Sequence, residues 1–151
     1  MLEIIRTNSK HKGFQHLVAL LDTTLAITDG DEHAFYDQYN SIESINHVVV
    51  LTINNIAVAC GALKVQEEMS SVEIKRMFTV NKHRGKGLAS IVLNELETWA
   101  LELNYKKCIL ETGKRQTQAI RLYEKNNYEI IENYGQYAGM DNSVCFRKEL
   151  L

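Results

Sequence analysis

Apolar positions in this chain follow two different periods, and the changes of period predict its elements. Residues 2–6 alternate weakly and predict a first strand. From residue 9 to about residue 27, Phe14, Leu17, Val18, Leu21 and Leu25 recur at three- and four-residue steps, the mark of one buried helix face. Asp29-Gly30-Asp31 breaks that helix, and residues 32–40, with Phe35, Tyr36 and Tyr39, read as one or two further helical turns. Residues 47–53 are β-branched and apolar, Asn54-Asn55 signals a turn, and residues 56–65 are apolar again, which predicts a hairpin. Residues 71–80 predict another strand, paired with the preceding one across residues 67–70.

After Gly87 the period lengthens. Leu88, Val92, Leu96, Trp99 and Leu103 form one stripe of a long helix that Asn104 ends. Residues 107–111 predict a short strand, residues 116–126 a second amphipathic helix, and residues 128–131 and 143–148 two closing strands. The order is β-α-α-β-β-β-α-β-α-β-β. Residues 72–111 then form a right-handed strand–helix–strand crossover within a mixed sheet. No repeat, low-complexity tract or proline-rich linker interrupts the chain, so residues 1–151 read as one α/β domain, a mixed central sheet flanked by helices.

Composition narrows the function classes. Seventeen Lys+Arg against nineteen Asp+Glu leave a net charge of −2, with a pI near 6.2. That balance offers no whole-chain attraction for nucleic acid or an anionic membrane. The longest apolar runs fall far short of the ~20 residues that span a bilayer, and the first residues lack a secretory pattern, so the expected location is the cytoplasm. Cys60, Cys108 and Cys145 are odd in number, widely spaced and set in apolar stretches, as buried free thiols are. The five histidines show no zinc-ligand spacing, and no metal is expected.

Candidate chemistry concentrates in residues 72–90. The strand ends in Asn81-Lys82-His83-Arg84-Gly85-Lys86-Gly87-Leu88-Ala89, a basic, glycine-rich turn that opens the long helix. Such a turn is an anion cradle, because free N–H groups and the helix dipole converge there and glycine admits a close ligand. A Walker loop would need Gly at Val80 and Ser or Thr at Gly87, and a dinucleotide fingerprint would need Gly at Ser90. Arg84-x-x-Gly87-x-Ala89 instead resembles the pyrophosphate loop of acetyl-CoA-dependent N-acetyltransferases.

At this point the chain resembles the GNAT superfamily. Glu73-Ile74-Lys75-Arg76-Met77-Phe78-Thr79-Val80 is similar to the family's fourth strand, and Leu110-Glu111-Thr112-Gly113 to the end of its fifth. Ala119-Ile120-Arg121-Leu122-Tyr123, continuing to Tyr128, is similar to its later Leu-Tyr motif. Two positions depart from the pattern. Asn127 replaces a glycine at a helix C-terminus, where asparagine is the next most tolerant residue. Gln116 stands where many members carry asparagine.

The resemblance implies a GNAT-like acyl-CoA N-acyltransferase fold, acetyl-CoA as co-substrate and direct transfer to an amine, with a homodimer common in the family. It places Met77, Phe78, Thr79 and Val80 beside the pantetheine arm, chiefly through backbone groups, and a backbone N–H there at the thioester oxygen. Arg84, Gly85, Lys86, Gly87, Leu88, Ala89 and Ser90 would wrap the pyrophosphate, with Gln116 as a further contact. Lys125 would approach the nucleotide end. Tyr123 occupies the general-acid position, although helix spacing alone favours a core role for it.

Glu73 is the candidate base. It lies about 13 Å from Met77 along an extended strand at ~3.3 Å per residue, so relay through water or anchoring of a cationic acceptor stand beside direct proton abstraction. Tyr36, Tyr39, Glu111 and Tyr137 are the candidate acceptor-binding residues, with Tyr134 and Met140 nearby on the late loop. Aromatics with carboxylates suit an ammonium group, and the acceptor expected is a small-molecule amine. A non-catalytic acyl-CoA sensor on the same fold is the alternative.

Overall fold

The computed structural model describes residues 1–29 and 45–150. Seven strands form one mixed sheet: β1 (Leu2–Thr7), β2 (His47–Ile53), β3 (Ile56–Gln66), β4 (Ser71–Thr79), β5 (Lys107–Gly113), β6 (Glu129–Ile131) and β7 (Ser143–Glu149). Among the described residues three α-helices accompany them: α1 (Lys12–Asp29), α2 (Leu88–Glu102) and α3 (Thr117–Lys125). The spatial order is β1-β2-β3-β4-β5-β7-β6. Every neighbouring pair is antiparallel except β4 and β5, which run parallel and are joined through α2.

The predicted elements are present, with shifted ends that have local causes. Helix α1 starts at Lys12 rather than residue 9, because the preceding turn is held by side chains. Asn8 Oδ1 accepts from the Lys10 N–H, and His11 Nδ1 from the Phe14 N–H. Asn54 and Asn55 take φ of 51° and 69°, the left-handed pair of a two-residue hairpin turn. Helix α3 ends in a Schellman motif: the Tyr128 N–H reaches the Tyr123 carbonyl at 3.0 Å, and the Asn127 N–H reaches Glu124 at 3.1 Å. Asn127 carries the left-handed φ of 71° that this cap requires, and the cap consumes Tyr128, so β6 starts one residue later than the pattern suggests. The predicted turns at residues 32–40 lie outside the described residues.

Side-chain alternation sorts the core into two layers. On one face Phe14, Leu17 and Val18 of α1 pack on Val48, Val50, Cys60 and Ala62. On the other, Leu88, Val92, Leu93 and Leu96 of α2, with Tyr123 of α3, pack on Val49, Leu51, Leu63, Val72, Ile74 and Leu110. All three cysteines are free and buried within the sheet. Burial pushes the Cys60 and Cys108 thiols up to about 12, and Cys145 to about 11. A charged cluster is buried with the second layer: Glu97 accepts from Tyr128 Oη and Lys148 Nζ, each at 2.9 Å. No described helix is long and apolar enough to cross a membrane.

Candidate active site

The site begins where β4 breaks its regular pairing. Between Cys60↔Phe78 and Ala62↔Lys75, β4 advances three residues while β3 advances two, which is a β-bulge. Arg76 absorbs it with φ of 58°. Gly61 stands opposite, and its missing side chain is required: a Cβ there would collide with Met77 Sδ and lie 2.8 Å from Val92 Cγ1. On its other edge β4 meets β5 only at Val72↔Cys108 and Glu73↔Ile109, although both strands continue. Beyond that point the two strands part.

A cleft of about 120 Å³ occupies the parting. Leu21 and Leu25 of α1, residues 73–77 of β4, Glu111, Thr112 and Gly113 of β5, Gln116, Ala119 and Tyr123 from α3 and its entry, and Tyr137 line it. A second, more open hollow of about 360 Å³ lies farther along β4, between α1 residues Leu20, Thr23 and Thr24 and the strand-end residues Phe78, Val80, Asn81 and Arg84.

At the end of β4 the chain turns through Asn81–His83 into the glycine-rich loop. Arg84 Nε donates to the Thr79 carbonyl at 3.1 Å, and its guanidinium sits 5.8 Å over the Phe78 ring. Gly87, with φ of 78°, precedes the first residue of α2, and a Cβ on Gly85 or Gly87 would meet nothing within 4 Å. The Ile91 N–H makes the first α2 bond, to the Gly87 carbonyl, so the N–H groups of Leu88, Ala89 and Ser90 precede the helical ladder. Asn126 Nδ2 donates to Ser90 Oγ at 3.2 Å and fastens the end of α3 to the start of α2.

These features fit an acyl-CoA. The loop presents an open, positively charged cradle with glycine conformation, and two buried polar atoms nearby, Thr79 Oγ1 and Gln116 Nε2, have no hydrogen-bond partner among the described residues. Among the described residues no three His, Cys, Asp or Glu side chains gather as a metal site.

Charged side chains crowd the α1 side of the cleft. Glu73 is 2% exposed, and its carboxylate accepts from Gln66 Nε2 at 2.9 Å and from Tyr134 Oη at 2.7 Å. Lys75 is buried beside it, and burial holds its pKa down against the pull of Glu73 and Glu111. Arg76 extends to α1, where Nη2 pairs with Asp22 Oδ1 at 2.7 Å. Tyr123 enters from the opposite layer, its ring 5.8 Å from those of Tyr128 and Phe146. Burial first, and then Glu111, raise its pKa, so its hydroxyl keeps its proton at neutral pH. Tyr137 is raised for the same two reasons, with Glu73 adding to them.

The structure therefore brings Glu73, Met77, Glu111, Gln116, Tyr123 and Tyr137 onto one cleft, with Phe78 and Val80 on the adjoining hollow and residues 84–90 beyond. Tyr36 and Tyr39 lie outside the described residues. Lys125 is exposed at the end of α3. Pattern reading missed Gln66, Asn126 and the Arg76–Asp22 pair. The one available signal was Lys75-Arg76, two consecutive charges inside an alternating strand, which is where the bulge lies.

Residues 14–128 match the model of the acetyltransferase (GNAT) family. The chain belongs to that family. It is 36% identical over 93 residues to the uncharacterized N-acetyltransferase YsnE of Bacillus subtilis, covering 60% of this chain and 61% of that one. It is 31% identical to an IAA acetyltransferase of Azospirillum brasilense, over 62% and 61% of the two chains. The matched segments thus span about 61% of the length of each of these two relatives. Among solved structures, a Klebsiella pneumoniae protein provisionally described as an acyl-CoA N-acyltransferase superposes with a TM-score of 0.83 at 26% identity, over 100% of this chain and 99% of that one. A GNAT acetyltransferase of Elizabethkingia anophelis with acetyl-CoA bound shares the fold with a TM-score of 0.71 at 19% identity, over 99% and 98% of the two chains.

Proposed function

We propose that residues 1–151 form one acetyl-CoA-dependent N-acetyltransferase domain acting on a small-molecule amine. The observation that carries this reading is the cleft between β4 and β5, which has the protonated Tyr123 hydroxyl on one side and the Glu73 carboxylate on the other. Residues 84–90 would hold the pyrophosphate through backbone N–H groups and the charges of Arg84 and Lys86. Residues 77–80 would hold the pantetheine arm, with Gln116 donating at the cleft.

Acetyl-CoA supplies a thioester, whose acyl carbon bonds to the amine nitrogen while its C–S bond breaks. Tyr123 gives its proton to the departing sulfur. A backbone N–H at the β4 bulge would face the carbonyl oxygen, where a preorganised donor contributes about a few kcal/mol to catalysis. Glu73 receives the acceptor's proton through water, or holds its ammonium group until it is deprotonated; Glu111 and Tyr137 complete the acceptor wall. Support for a cationic acceptor comes from two cleft carboxylates beside aromatic rings.

The test is thiol release from acetyl-CoA with polyamines, amino acids, aminoglycosides and short peptides, followed by calorimetry with acetyl-CoA on the same sample. Turnover with any amine establishes the activity and its acceptor class. Acetyl-CoA binding without turnover on the whole panel favours a sensor, and absence of binding overturns the assignment of the loop.

A further inference from the structure

Glu73 is deeply enclosed, yet both of its oxygens have donors. Gln66 Nε2 reaches Oε1 at 2.9 Å and Tyr134 Oη reaches Oε2 at 2.7 Å. The donors come from opposite directions along the chain: Gln66 ends β3, seven residues before Glu73, and Tyr134 follows it by 61 residues. Tyr134 is itself held in place. Its ring meets that of Tyr137 edge-on at 5.8 Å and 87°, and both pack with Ile131, Met140 and Cys145.

A carboxylate on one pivot can turn about its last torsion, and two convergent donors remove that freedom. Both donors are neutral, so they satisfy the buried oxygens without cancelling the charge. The charged groups around the carboxylate include Lys75 on its own strand, Lys64 opposite it on β3, and Glu111 from β5, with Arg76 beyond Lys75. The Tyr134 hydroxyl is raised by burial and by the Glu73 charge, so it remains a donor across the neutral range.

We propose that Tyr134 is a positioning residue, with Gln66 as its counterpart, and that the pair fixes the Glu73 carboxylate in the orientation that meets the acceptor amine. This rests on the role given to Glu73 above. The simpler role, satisfying a buried carboxylate for stability alone, makes a different prediction: fewer folded molecules, each fully active.

The experiment compares the full chain with Tyr134→Phe, Gln66→Leu, Glu73→Gln and the Tyr134→Phe/Glu73→Gln double variant. Thiol release is measured with the panel amine that turns over fastest, and active sites are counted by acetyl-CoA binding. Tyr134→Phe should lower kcat per site by roughly tenfold with KM for acetyl-CoA unchanged, and should add no loss once Glu73 is Gln. Gln66→Leu should repeat the pattern more weakly, which keeps the test decisive if one variant folds poorly. Unchanged kcat per site in both, or an equal loss in both backgrounds, overturns the proposal. If Glu73→Gln loses turnover while Tyr134→Phe does not, only this inference falls; if neither loses it, the role of Glu73 falls as well. Independently of any acceptor, the Cζ resonance of Tyr134 in 13C-tyrosine-labelled protein, identified by its loss in Tyr134→Phe, should move in Glu73→Gln. A resonance that stays put overturns the coupling.

Discussion

At residues 85–90 the groups proposed to meet a ligand are backbone N–H groups of an exposed loop and the first turn of α2, supplied by one contiguous stretch of chain. At the proposed acceptor end of the cleft they are side chains from β4, β5, α3 and the segment around Tyr134 and Tyr137. The first arrangement depends on backbone conformation and open space and tolerates variation in most of its side chains. The second depends on packing, since the Glu73 carboxylate takes its hydrogen bonds from residues seven and 61 positions away. A phosphate cradle can be encoded locally because helix starts carry free donors wherever they occur. A place for an amine beside a carboxylate has to be assembled by the fold.

The largest expected effect breaks the local end alone. Gly87→Glu puts a side chain and a negative charge where phosphates would sit, at a position with φ of 78°. Acetyl-CoA affinity by calorimetry should fall roughly a hundredfold or more, while the far-ultraviolet circular dichroism is unchanged. Retained affinity would sink the loop assignment.

Tyr123→Phe addresses the other end. As general acid the hydroxyl is worth roughly a hundredfold in kcat, and acetyl-CoA binding should be intact. Undiminished turnover would return Tyr123 to a purely structural role beside Tyr128 and Phe146.

Gly61→Val tests the bulge on which both ends depend. The new methyl groups would press on Met77, Val92 and Leu96, and overpacking of this kind costs about 1–3 kcal/mol. Denaturant unfolding should show that loss together with weaker acetyl-CoA binding. Destabilisation with native affinity would separate the bulge from the cofactor site.

The smallest effect is set by pH. Tyr123, Tyr128, Tyr134 and Tyr137 are all raised above the ordinary tyrosine value of 10.0 by burial. A group raised in the folded state contributes its stability fully below its unfolded value and loses it as pH climbs towards the folded one. The melting temperature should therefore decline above about pH 9, where the Cys60, Cys108 and Cys145 thiols titrate in the unfolded chain, and more steeply above about pH 10 as the tyrosines join them. Tyr134→Phe should soften that decline, and an identical alkaline slope would place Tyr134 in a less buried setting.

Much of this molecule was legible without coordinates, and the reasons are local. Helix stripes such as Leu88-Val92-Leu96 and β-branched runs such as residues 47–53 announce their burial through period alone. The Asn54-Asn55 turn and the Asn127 cap are readable because few residues accept a left-handed backbone. The glycine loop belongs to the same class, as does the Leu122-Tyr123 motif that carries the family resemblance.

What the sequence determined by itself was the set of elements and every feature whose partners lie within a few residues. Tertiary structure alone decided which elements met: the bulge at Arg76 opposite Gly61, the parting of β4 from β5, and the hold of Tyr134 on Glu73. Each joins groups distant in sequence through hydrogen bonds or close packing. Composition and period carry no record of such pairings, because any buried carboxylate needs donors and only the fold determines which ones arrive.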